Sequence, residues 1–137
     1  KAKQFREIDL PSVKASADAA AGAGSAQFVY VSVAMAPSGL MAAYQAVRRE
    51  GEEYCKSKGI NCTFIRPWYV LGPGHFWPVL LLPLYGLAEL VPSWKQQARG
   101  KALVTIRQML RTLINTVEVD PQPLRIIEIK GIRSATI

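Results

Sequence analysis

Cysteine and histidine are scarce: the chain has Cys55 and Cys62 and the single histidine His75. The cysteines are not in a CxxC spacing, and a structural zinc site takes four ligands, so no metal centre is expected. Two thiols without a disulfide framework are expected to stay free in a reducing compartment, which gives a cytoplasmic expectation. No basic and apolar leader with a small-residue cleavage site is present, and Lys1 is not an initiator Met. The chain is therefore expected to be trimmed or part of something longer. Long hydrophobic runs are lacking too. The most apolar stretch, Phe76 to Leu90, is broken by Pro78 and Pro83 and carries Glu89, whereas a spanning helix needs about 20 continuous apolar residues. It has no charged opposite face to lie in an interface, so no membrane partner is expected.

Charge is present in excess but not concentrated. The formal net charge is +7, with Lys1, Arg6, Arg48, Arg49, Lys56, Lys58, Arg99, Lys101, Arg107, Arg111, Arg125 and Lys130 spread from end to end without interleaved aromatics. That distribution describes a solvated surface and not a nucleic-acid footprint.

What the chain does hold is enough for one packed core: 137 residues, 50% of them hydrophobic. "DLPSVKASADAAAGAG" carries Asp or Ser as cap candidates, Pro11 at an early position and Gly22 and Gly24 at the end, and predicts a short helix. "QFVYVSV", Gln27 to Val33, is a run of apolar and β-branched residues that predicts a strand buried on both faces, hence a parallel sheet. A longer helix is predicted from about Gly39 to Ser57, with Leu40, Tyr44, Val47, Gly51 and Tyr54 at helical spacing and Gly59 closing it. "NCTFIR" predicts a second strand, "ALV" at 102–104 a short extended piece, and "LRIIEIK" a third strand. Between them "TIRQMLRTLINTVE" predicts a helix with Ile106, Met109, Leu110, Leu113 and Val117 on one face, ended by Pro121 and Pro123. Residues 76–91 are compatible with a helix interrupted by its prolines. Strand and helix in alternation predict an α/β fold.

In an open α/β sheet ligands sit outside the carboxyl ends of the strands, and "RPWYVLGPG" begins where "CTFIR" ends. Pro67 fixes the backbone there, Gly72 and Gly74 permit close approach, and Trp68, Tyr69 and Trp77 offer flat apolar surface. By spacing alone this turn serves equally well as a pocket wall or as a structural loop with core aromatics.

"FVYVSVA", a helix containing Tyr44-Gln45-Ala46-Val47-Arg48, "FIRPWYVLGPG" and "LVTIRQMLRTLINTVE", in that order, resemble the C-terminal half of an atypical or extended short-chain dehydrogenase/reductase. That family includes nucleotide-sugar epimerases and NmrA-like proteins. The resemblance covers nearly the whole chain, and the RPxxVxGPG pattern is its most specific part. It implies the later half of a doubly wound parallel, Rossmann-like sheet with flanking helices over residues 1–137, with strands near 27–33, 61–66 and 124–129 and a small apolar substrate-side region near 76–104.

In the family a Tyr acts as general acid/base, a Lys one turn later holds the nicotinamide ribose, and a Ser or Thr after the preceding strand orients the substrate carbonyl. Tyr44 matches the tyrosine, Arg48 stands at the lysine position, and Ser32 lies at the strand end, where the family's hydroxyl falls about two residues later, at Ala34 here. An arginine keeps the charge but stays protonated and cannot replace an ammonium in a proton relay unchanged. Tyr44 as a core tyrosine on the helix stripe is an equal reading.

The resemblance implies Tyr44, Arg48 and Ser32 as catalytic residues and Tyr44, Arg48, Pro67, Trp68, Tyr69 and Val70 at the cofactor, which would be NAD or NADP in the full-length parent. The glycine-rich dinucleotide turn is expected before Lys1. Gly22-Ala23-Gly24 precedes a strand, the wrong order for cradling a pyrophosphate. This chain alone is thus expected to be inactive, to bind no dinucleotide tightly, and to be a fragment of an NAD(P)-dependent oxidoreductase or epimerase-like protein acting on a small molecule. The alternative is a catalytically silent dinucleotide sensor or scaffold. Because Gln27 to Val33 would be a central strand missing its neighbours, self-association or pairing with the missing N-terminal half is also expected.

Overall fold

The computed structural model describes residues 2–35, 41–73 and 103–135. The chain begins with a helical turn, α1 (Ala2–Gln4), which runs through a π-helical segment (Phe5–Asp9) into α2 (Leu10–Gly22). Asp9 therefore lies inside continuous helix and makes no side-chain cap, contrary to the expectation that the helix starts there. The C-terminal stop is as the sequence predicts. Gly24 takes φ 64°, its N–H donates to Ala21 O, and Ser25 N–H reaches back to Ala20 O at 3.0 Å, closing the orphan carbonyls of α2.

Strand β1 (Phe28–Val31) follows, then α3 (Ala42–Ser57), closed by Gly59 at φ 68°. Next come β2 (Cys62–Arg66) and the short β3 (Tyr69–Leu71). After residues 74–102, which lie outside the description together with all but the end of the apolar region expected near 76–104, come β4 (Leu103–Thr105), α4 (Ile106–Glu118), β5 (Leu124–Glu128) and α5 (Ile129–Arg133). The third strand stops at Glu128, because Ile129 and Ile132 turn into the core on a helical spacing instead of continuing the ladder. Helix α4 opens on a reciprocal cap: Gln108 N–H donates to Thr105 Oγ1 at 3.2 Å and Thr105 N–H to Gln108 Oε1 at 2.8 Å.

Two parallel sheets result, β1-β2-β5 and β3-β4. In the first, Tyr30 pairs with Phe64 and Phe64 with Ile126; in the second, Val70 pairs with Val104. The architecture is mixed α/β with parallel strands. Side chains alternate across the larger sheet. Tyr30, Cys62 and Phe64 pack with Leu10, Val13 and Ala17 of α2 and Val47 and Cys55 of α3. Ile65, with Val29 and Ile127 beside it, packs with Met109 of α4 and Ile129 and Ile132 of α5.

The expectation that β1 is buried on both faces holds only in part. Tyr30 is buried but Val31 is 39% exposed, because β1 is the edge of its sheet among the described residues. The expected inward stripe of α4 is also corrected. Met109 is buried and Leu113 half-buried, but Ile106, Leu110 and Val117 face solvent while Thr112 and Thr116 face inward. The threonines bury at little cost because each hydroxyl donates to a carbonyl one turn back, Thr112 to Gln108 O at 2.8 Å and Thr116 to Thr112 O at 2.7 Å.

Candidate functional site

The parallel strands deliver three chemically useful residues to one edge of the sheet, Ser32 just beyond β1 and Arg66 and Glu128 at the ends of β2 and β5. Beyond β1 the pairing continues without a regular strand. Ser32 N–H donates to Ile65 O at 2.8 Å and Ala34 N–H to Pro67 O at 2.9 Å. These bonds bind the chain after β1 to the Arg66-Pro67-Trp68 turn. Ser32 is 4% exposed, and its hydroxyl has no hydrogen-bond partner among the described residues. A buried hydroxyl left unpaired costs about 1–3 kcal/mol.

The helical spacing of α3 sets Tyr44 and Arg48 one turn apart on one face. The guanidinium carbon of Arg48 lies 4.9 Å from the Tyr44 ring centroid and 5.5 Å from that of Tyr30. Its Nη1 donates to Tyr30 Oη at 3.0 Å and to Val31 O at 3.4 Å, and its Nη2 lies 3.7 Å from Asp9 Oδ1. Its Nε is buried with no partner among the described residues. The Tyr44 ring also meets Phe5, with centroids 4.9 Å apart at 60°.

Tyr44 and Arg48 are thus brought together as expected, and Arg48 reaches the backbone of the residue before Ser32. Burial works against the Arg48 charge, but its bond to the Tyr30 hydroxyl and its two aromatic neighbours outweigh that and hold its pKa above the ordinary arginine value. Burial pushes the Tyr30 hydroxyl up, and Arg48 offsets part of the rise. A cavity of about 160 Å³ opens beside the cluster, lined by Asp9, Ser12, Ser16, Phe28, Tyr30 and Arg48.

A second polar cluster lies at the end of β2. Arg66 donates from Nε to Glu52 Oε1 at 2.9 Å and from Nη2 to Glu52 Oε2 at 2.5 Å, while its Nη1 bonds Glu128 Oε1 at 2.9 Å. Glu52 is 1% exposed, so this fork neutralises a carboxylate inside the protein. The hydrogen bonds to Glu52 outweigh burial and raise the Arg66 pKa. The aromatic turn that follows is anchored. Pro67 is buried, Trp68 packs half-buried against the core around Ile65 and Val104, and Tyr69 and Val70 belong to β3, paired with Leu103 and Val104. Trp77 and Gly74 lie outside the described residues.

Tyr30, Glu52 and Glu128 were not singled out from the sequence, and Asp9 was read there only as a helix cap candidate. Glu52 had a readable signal: it adjoins Gly51 on the buried stripe of α3, and a carboxylate there needs a cationic partner from elsewhere. Asp9 and Tyr30 had none, since their contacts with Arg48 join separate elements. Among the described residues there is no group of three metal-ligating side chains, and no helix long and apolar enough to cross a membrane. No protein-family model matches the chain, and no curated protein matches it either.

Proposed function

We propose that this chain is the later half of a doubly wound, Rossmann-like sheet of the short-chain dehydrogenase/reductase kind, and that in a longer cytoplasmic protein its strand-end cluster faces the nicotinamide portion of NAD or NADP. One observation carries the reading. Tyr44 and Arg48 stand stacked one helical turn apart beside the end of a parallel strand, and the next residue, Ser32, holds a buried hydroxyl without a described partner. Ligands of parallel sheets gather at that edge.

A bound dinucleotide would supply hydride chemistry on a small-molecule substrate. The chain's own residues would do the rest. Tyr44 would hold or give a proton at the substrate oxygen, Ser32 would hydrogen-bond the same oxygen, and Arg48 would be a fixed positive charge on the ribose side. Pro67, Trp68, Tyr69 and Val70 would form the wall. The residues fit this group on the nicotinamide side, where the Ser32 hydroxyl has no partner among the described residues. The phosphates would need a glycine-rich turn from an earlier part of the protein.

A second reading, a catalytically silent dinucleotide sensor or scaffold, is favoured by the state of Arg48. Its fork is already shared among Tyr30, Val31 and Asp9, and it remains protonated, so it cannot pass a proton on.

Titration calorimetry and nicotinamide absorbance on a longer form of the protein, beside the 137-residue chain, separate the readings. The short chain is expected to bind no tighter than about 1 mM, for want of the phosphate contacts, and the longer form in the micromolar range. Turnover that Tyr44→Phe removes without loss of binding supports the reductase. Binding without turnover supports the sensor. A longer form that binds no dinucleotide overturns the reductase and the sensor and leaves the scaffold.

A further inference from the structure

Helix α4 turns its largest aliphatic side chains to water. Ile106, Leu110, Ile114 and Val117 are 42%, 52%, 51% and 60% exposed. At 100° per residue they form one stripe on a helix about 20 Å long. Single exposed apolar residues are ordinary on any surface, but a contiguous stripe marks a contact.

Charge borders this stripe on one flank only, where the same spacing places Arg107, Arg111 and Glu118. None of the three makes an ion pair with another described residue. A second copy of α4 laid antiparallel, with a twofold axis at the height of Thr112, sets Ile106 of each copy against Val117 of the other and Leu110 against Ile114. Antiparallel pairing also faces like flanks, so Arg107 of each copy meets Glu118 of the other twice over. A parallel alignment would instead face the charged flank of each copy with the uncharged flank of the other and would form neither pair. The stripe is self-complementary in this orientation, which is the condition for an isologous contact; the same axis brings Arg111 of each copy near its mate, a repulsion set against the two Arg107–Glu118 pairs.

We infer that the chain forms a twofold dimer through α4, with a second copy of itself as the occupant of this face. The inference stands apart from the dinucleotide reading, which uses the opposite helical layer. A single helix pair of this length buries less than the roughly 1,200–2,000 Å² of a standard interface, so the dimer is a weak one, in the tens to hundreds of micromolar.

Sedimentation equilibrium of the 137-residue chain between about 10 µM and about 1 mM is the test. The expected result is a reversible monomer–dimer equilibrium that Leu110→Glu weakens by about tenfold or more. Arg107→Glu and Glu118→Arg should each weaken it, and the two together should restore most of it, since the double change rebuilds both ion pairs with reversed sign. Circular dichroism confirms folding, and every substituted side chain is solvent-facing. A monomer at about 1 mM overturns the inference. A dimer indifferent to Leu110→Glu, or one dissolved only by Val31→Lys at the open edge of β1, also overturns it.

Discussion

Helices α3 and α4 cover opposite faces of one sheet and bury different kinds of side chain. Helix α3 turns Val47, Gly51 and Cys55 inward together with Glu52, whose carboxylate is matched by Arg66 from β2. Helix α4 turns inward Met109, Thr112 and Thr116, whose two hydroxyls are satisfied by their own helix. Polar burial in α3 therefore depends on a long-range partner, whereas in α4 it is local and self-contained. The difference predicts how each layer fails.

The largest effect is expected where that long-range partner is lost. Glu52→Ala leaves the Arg66 guanidinium partly buried with only the exposed Glu128, and should lower stability by about 3–5 kcal/mol. Thr116→Val should change it by less than about 1 kcal/mol, because no unpaired charge remains. Urea unfolding measures both, and equal costs would break the comparison.

Close packing gives the next effect. A methyl group at Gly51 would meet Val13 Cγ1 at 3.0 Å and Tyr30 Oη at 3.2 Å. Gly51→Ala should therefore destabilise by about 1–3 kcal/mol, against a helix-propensity gain of about 1 kcal/mol. A net gain in stability would show that α2 and α3 have slack.

The α3 layer should also respond to alkaline pH. Burial pushes the Cys55 thiol up to about 12, with the neighbouring Cys62 adding to the rise. The folded state favours the protonated thiol, so the unfolded chain ionises first. Stability from this group is complete below the ordinary thiol value near 9 and is lost as pH climbs toward about 12. The slope is at most about 1.4 kcal/mol per pH unit. Comparing urea midpoints of wild type and Cys55→Ala across pH 8–11 isolates it, and parallel curves would refute it.

The smallest effect on stability is expected from Leu110→Gln on the outer face of α4, within about 0.5 kcal/mol for the monomer. A loss of several kcal/mol at low concentration would mean that the face is covered within the chain.

Both helices were legible as helices from their 3.6-residue spacing, and the three strands of the larger sheet from their apolar, β-branched runs. The Tyr44–Arg48 neighbourhood was legible as well, because an i, i+4 pair on a helix must share a face. The orientation of α4 was not. An apolar stripe shows which side of a helix gains by leaving water, but Thr112 and Thr116 can go inside at little cost once their hydroxyls are satisfied by their own helix, so the stripe alone does not fix the inward face. The Thr105 and Gln108 pair carried a legible start signal for α4 that the apolar spacing alone did not use. The ties of Arg48 to Tyr30 and Asp9 were illegible because no local rule relates residues on different elements.

By itself the sequence determined the α/β alternation, the glycine stops at Gly24 and Gly59 and the proximity of Tyr44 to Arg48, since all three follow from backbone sterics and short-range periodicity. The tertiary structure alone decided the order β1-β2-β5, the side of α4 that meets the sheet, the buried fork between Arg66 and Glu52 and the burial of the Ser32 hydroxyl without a partner among the described residues. Each of these depends on what stands across a gap in space, and burial and charge pairing are properties of that neighbour as much as of the residue itself.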